Sequence, residues 1–255
     1  MFKSLLAVLA VTLILPTASH AVLITVGASK DNTLYQDAAG GLSNGTGSTF
    51  FSGETGGGLI RRGLVEFDLS AIPAGSTIQS VTLNLFLVQA QSFPTDVSLH
   101  EVLAEWGEGT SNAGVRAGGG AGATTNDATW RHTFYGGSFW TNPGGDFDLA
   151  VSATTLVGAE GSTYHWLNTP ALVADVQGWL DLPVTNHGWL LQGDESQSST
   201  AKAFGTHESS DISVRPSLTV SYSPVPEPGA FGSVIGGIGM LLLIRRKYRV
   251  IPTRH

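Results

Sequence analysis

Ile78-Gln-Ser-Val81-Thr-Leu83-Asn-Leu85-Phe-Leu87 places an apolar side chain at every second position from Val81 onward. Side chains alternate faces along a strand, so this spacing predicts an extended segment with one buried face. The stretch before it obeys the same rule. In Arg62-Gly-Leu-Val65-Glu-Phe67-Asp-Leu69, the apolar Val65, Phe67 and Leu69 share one face and Glu66 and Asp68 the other. Ser70-Ala-Ile-Pro73-Ala-Gly75 supplies turn residues between the two. Outward from this pair, shorter strands are expected at residues 23–26, 49–51, 97–103, 188–191, 201–204 and 217–222, with brief strand pieces at 128–130 and 147–149. One helix is expected. Thr169 can cap it, Pro170 suits its first position, and Leu172, Val173, Val176, Trp179 and Leu180 fall on one helical face. Many short strands with a single helix predict an all-β fold, a jelly-roll β-sandwich.

The two ends carry different signals. Met1 to Ala21 has Lys3, an apolar run from Leu5 to Leu15, and the small-residue sequence Ser19-His20-Ala21. That order is expected of a secretory signal peptide cleaved after Ala21, with signal peptidase as its processing partner. At the other end, Pro224-Val-Pro226-Glu227-Pro228 precedes sixteen uncharged residues, 229–244, and then Arg245-Arg246-Lys247. As a helix the uncharged run would be about 24 Å long at 1.5 Å per residue, and it predicts membrane contact with the basic cluster left on the cytoplasmic side.

The domain between the signals, residues 22–223, is strongly acidic. Seven basic and nineteen acidic residues fall in it, so it carries −12 against −7 for the whole chain. Such a surface repels nucleic acid and uniformly anionic polymers unless a cation bridges them. Cysteine is absent, so an exported domain of this kind depends on its own core or on a bound ion. The stretch 107–126 is glycine-rich and reads as a long loop, of the length that compact domains usually reserve for function or motion.

Two resemblances follow from these residues. Pro226-Glu227-Pro228, the apolar run and Arg245-Arg246 together resemble the PEP-CTERM sorting signal. That resemblance implies recognition by an exosortase and delivery to the surface or extracellular matrix of a Gram-negative-type bacterium, with residues 224–255 as a removable tail. The order of Asp31-Asn-Thr, Arg61-Arg-Gly-Leu-Val-Glu-Phe-Asp-Leu-Ser70, Ser80-Val-Thr-Leu-Asn-Leu85, Trp106, Ala128-Thr-Trp130, the helix ending near Trp179, and Arg215-Pro-Ser-Leu-Thr-Val-Ser-Tyr222 resembles the DNRLRE-domain family. That resemblance implies a jelly-roll module and, in one branch, binding of uronate polymers through clustered basic residues. Here the domain has only Lys30, Lys202, Arg61, Arg62, Arg116, Arg131 and Arg215, and the late Ser-Arg-Glu-like position reads Thr206-His207-Glu208.

Candidate chemistry is sparse. There is no nucleophile elbow, no His-Glu-x-x-His and no phosphate loop. The carboxylate pairs Glu105/Glu108, Asp146/Asp148 and Asp194/Glu195 would suit a glycosidase only if they faced one another across a substrate. Loop oxygens of Asp31, Asn32 and Asp37, or of Asp146 and Asp148, are candidates for a structural Ca²⁺. His100, His132, His165, His187 and His207 show no ligand-like spacing. Tyr135, Phe139 and Trp140 are the aromatic residues expected to be exposed for stacking on sugar rings. The expectation is a non-catalytic surface or matrix protein that associates with polysaccharide or the cell envelope. The alternatives are an adhesive module without a sugar site and a polysaccharide-active enzyme.

Overall fold

The segment built on the Val81–Leu87 alternation is a fourteen-residue strand, Thr77–Ala90, with Val81, Leu83, Leu85 and Leu87 fully buried. The computed structural model describes residues 20–91 and 93–225. The leader before His20, Pro226, Glu227, Pro228, the 229–244 run, Arg245 and Arg246 lie outside the described residues. Ala21 is exposed just ahead of the first strand.

In chain order the strands are β1 (Val22–Tyr35), β2 (Leu42–Ser43), β3 (Thr49–Glu54), β4 (Ile60–Phe67), β5 (Thr77–Ala90), β6 (Thr95–Glu101), β7 (Ala121–Gly122), β8 (Ala153–Val157), β9 (Ser162–Trp166), β10 (Trp189–Gln192), β11 (Lys202–Gly205) and β12 (Ser217–Ser223). Helix α1 (Pro170–Asp181) precedes β10. All the strand pairings are antiparallel. In one sheet β5 pairs with β9 along one edge and with β12 and then β11 along the other. The first half of β1 pairs with β12, and β3 with β11. The second sheet runs from the latter half of β1 through β4, β10 and β6 to β8. A register shift between Ala28 and Lys30 lets β1 serve both sheets. Consecutive strands β4, β5 and β6, and again β8, β9, β10 and β11, change sheet at almost every step, which is the winding of a jelly-roll sandwich.

Between the sheets lies the main core, including Phe50, Val65, Phe67, Leu83, Leu85, Trp166, Trp189, Leu191 and Phe204. Helix α1 closes one side with Leu172, Val176, Trp179 and Leu180. Thr169 Oγ1 accepts the Leu172 N–H at 3.0 Å and Pro170 opens the first turn, as the sequence predicts. A second core covers the outer face of the β4/β10 sheet: Leu34, Leu64 and Leu190 from the strands meet Val102, Trp106, Ala128 and Trp140 from the segment after β6. The irregular stretch 103–152 is therefore a packed cover on that sheet.

Several boundaries differ from the expected ones. The first strand extends to Tyr35 because its polar residues Asp31, Asn32 and Thr33 are completely buried and bonded. The strand pieces expected at 128–130 and 147–149 do not form. That region contributes only the isolated bridges Val102↔Phe147 and His132↔Phe139, since its chain is shaped by packing against the sheet. The structure adds β8 and β9, which pair with β6 and β5. Part of the expected loop at 107–126 is ordered as a 3₁₀ turn, Gly114–Gly119, followed by β7 pairing with β2.

Candidate functional site

Where β1 enters the second sheet, Asp31 is held without any solvent exposure. Its backbone N–H donates to Glu108 Oε1 at 2.7 Å, and its Oδ2 accepts from the His207 backbone N–H at 2.8 Å. His207 Nδ1 lies 3.2 Å from the same Asp31 oxygen and 3.5 Å from Glu108 Oε1, while Nε2 lies 3.1 Å from Glu208 Oε1. One ligand-type atom from each of Asp31, Glu108, His207 and Glu208 falls within 4.8 Å of the other three. Asp31 Oδ1 and Glu208 Oε2 are buried with no hydrogen-bond partner.

Local structure fixes each member. Asn32 is spent on the scaffold: its Nδ2 donates to the Glu108 carbonyl at 2.9 Å, and its Oδ1 accepts from Thr33 N, Ser43 Oγ and Asn44 N. Gly109 takes a left-handed φ of 71° against Asp127, a conformation open to glycine, so the chain turns directly after Glu108. Thr206 Oγ1 donates to the Gly47 carbonyl at 2.7 Å and anchors the turn that presents His207 and Glu208.

The electrostatics are those of crowded, poorly hydrated acids. Burial raises the Asp31 carboxyl above its usual range, against the hydrogen bonds from His207. Burial likewise pushes Glu108 up to about 8, opposed by the Asp31 N–H and assisted by the Glu208 charge. Glu208 rises to about 7, from burial first and the Asp31 charge second. The hydrogen bond to Asp31 raises His207 to about 9, outweighing the opposing effect of its burial.

The other candidates are dispersed. Asp37 accepts from Ala39 N and Gly41 N within its own turn. Asp146 accepts from Thr141 N and Asn142 N, and Asp148 from Ala150 N. Glu105 pairs with Lys30 at 2.7 Å and with His187 at 3.1 Å. Glu195 makes a two-oxygen pair with Arg62, both distances 2.8 Å. Of the three aromatic candidates, Phe139 is exposed and Tyr135 half-buried, and both rings meet His132. Trp140 corrects the expectation: it is 4% exposed, with Nε1 donating to the Thr129 carbonyl, because the cover over the sheet uses it as core.

A separate groove of about 770 Å³ crosses the outer face of β3, β11 and the end of β5. Phe51 and Ala203 are among its lining residues, together with Thr49, Thr55, Gln89 and Gln91, whose side chains carry hydroxyl and amide groups. The 114–119 turn is one wall. It is fixed by Tyr35 Oη, which donates to the Ala117 carbonyl at 2.6 Å, and by Arg61 Nε, which donates to the Gly118 carbonyl at 3.1 Å.

The sequence offers Glu108 only as the partner of Glu105, gives neither His207 nor Glu208 as a site, and carries no local signal of the groove. A scan against protein-family models gives no match for the chain, and a search of curated proteins gives none.

Proposed function

We propose that this chain is an exported, non-catalytic protein of the cell surface or extracellular matrix that binds polysaccharide along the groove over β3, β11 and β5. The leader and the Pro226-Glu227-Pro228 tail support the destination, through signal peptidase and an exosortase. The observation that carries the binding reading is the composition of the groove. A half-buried Phe51 ring lies among Thr49, Thr55, Gln89 and Gln91, an arrangement that offers an apolar face for a sugar ring and short polar groups for its hydroxyls. The strongly acidic domain repels polyanions, so the favoured ligand is a neutral polysaccharide. A non-catalytic role is supported by four of the six carboxylates in the candidate pairs: Glu195 is committed to Arg62, Asp146 and Asp148 to their turns, and Glu105 to Lys30 and His187.

Native gels cast with neutral polymers (β-glucan, galactomannan, xylan) or with alginate test this reading. Retardation in a neutral polymer is expected. Unchanged migration in all of them would leave the adhesive, sugar-free module as the better account. Release of reducing ends would point to the polysaccharide-active enzyme.

A further inference from the structure

Apart from the groove, we infer that Asp31, Glu108, His207 and Glu208 form a binding site for a divalent transition metal, with Zn²⁺ the best-matched ion. The first support is the unpartnered oxygen. Asp31 is fully buried, and its Oδ1 has no hydrogen-bond partner among the described residues. The Oε2 atom of the partly exposed Glu208 is likewise buried and without a hydrogen-bond partner. A buried carboxylate oxygen without a donor is costly, and buried charges are ordinarily paired or bound to a metal.

The second support is geometry. The four ligand-type atoms already lie within 4.8 Å of one another. A tetrahedral ion with O and N ligands at its usual distances separates them by about 3.3–3.6 Å. The widest separation must close by at most roughly 1.2–1.5 Å, within reach of side-chain rotation at Glu108 and Glu208, whose side chains are 23% and 21% exposed.

The donor set selects the metal class. Ca²⁺ and Mg²⁺ take oxygen ligands, whereas an imidazole among carboxylates suits zinc and its neighbours. Four protein ligands match the closed tetrahedral shell of structural zinc. Both His207 nitrogens face carboxylates, so whichever binds the ion leaves the other with an acceptor, the arrangement that orients metal-bound histidines.

A rival account needs no metal: a protonated His207 serves as counter-ion. It explains the contact at Asp31 Oδ2 but leaves Asp31 Oδ1 unpartnered, and one imidazolium faces three carboxylates. A bound ion would tie β1, the loop carrying Glu108 and the turn at 206–208 together in a chain that has no disulfide.

The test uses the full-length chain, treated with chelator, dialysed, and titrated separately with ZnCl₂, MnCl₂ and CaCl₂ by calorimetry and thermal melting. One Zn²⁺ per chain is expected, with a rise in Tm, since an ion that binds only the folded state stabilises it. Asp31→Asn risks misfolding at a buried position, so the partly exposed His207→Gln and Glu208→Gln carry the assignment. Each is expected to weaken Zn²⁺ binding by more than about tenfold, the floor set by loss of an outer partner alone, with an unchanged circular dichroism spectrum. The inference is overturned if Zn²⁺ and Mn²⁺ have no effect, if Ca²⁺ alone binds, or if both variants retain wild-type affinity.

Discussion

Replacing Trp140 with alanine tests whether the stretch 103–152 is a packed layer or a loose binding loop. The ring is 4% exposed and sits with Leu34, Leu64, Trp106 and Leu190 against the outer face of the β4/β10 sheet. Truncating a buried tryptophan typically costs about 3–5 kcal/mol. Removing Nε1, which donates to the Thr129 carbonyl at 2.9 Å, leaves that acceptor unpaired and adds about 1 kcal/mol. The expected loss is thus about 4–6 kcal/mol, a large part of the stability of an ordinary domain. At about 2–4 °C per kcal/mol for a domain of this size, the Tm falls by roughly 8–24 °C. Phe139→Ala is the paired control. That ring is 63% exposed and touches His132 at 4.3 Å between centroids, so its removal should cost under about 1 kcal/mol. Urea unfolding followed by circular dichroism gives both values. The reasoning is refuted if Trp140→Ala stays within 1 kcal/mol of wild type (about the cost of a surface change), or if Phe139→Ala is the more damaging of the two.

Three further outcomes are expected. Glu195→Gln removes half of a pair in which Arg62 and Glu195 are each 14% exposed; the Arg62 charge is left under-compensated, at about 3 kcal/mol by urea midpoint, the lower end for buried pairs. Thr169→Ala deletes the oxygen that accepts the Leu172 N–H at 3.0 Å and should cost about 1 kcal/mol, seen as a Tm shift with little change in the β signal. Gly109→Ala places a Cβ into the Asp127 carboxylate at a φ of 71°, and should lower soluble yield and Tm more than an alanine at Gly114, where φ is also positive but the space is open.

How much of this was legible depends on whether the signal was local. The Val81–Leu87 alternation and the Thr169-Pro170 start are short-range patterns, and β5 and α1 follow them closely. The second core left a fainter trace. Leu64-Val65 and Trp189-Leu190-Leu191 do not alternate, which already means that both faces of those strands are covered. What covers them could not be read, because a glycine-rich segment without periodicity takes its shape from the surface it packs on. Trp140 was misjudged for that reason. The four-residue cluster was hidden by topology: Asp31, Glu108 and His207 are 77 or more positions apart from one another, brought together only when β1, the cover and the turn after β11 converge. Its local clues were a buried-strand Asp31-Asn32 pair and a histidine beside Glu208, neither specific alone. The groove is likewise assembled from β3, β5, β11 and a distant turn.

The most direct test of the polysaccharide reading is the retardation of full-length protein in affinity gels, compared between wild type and a Phe51→Ala/Gln89→Ala double variant. Both side chains line the groove. Loss of a stacking ring and one hydrogen-bonding amide should weaken binding by about 2 kcal/mol, roughly thirtyfold in the polymer concentration that halves mobility. The account predicts that shift in a neutral polysaccharide, with an unchanged circular dichroism spectrum. A variant retarded as strongly as wild type would contradict it.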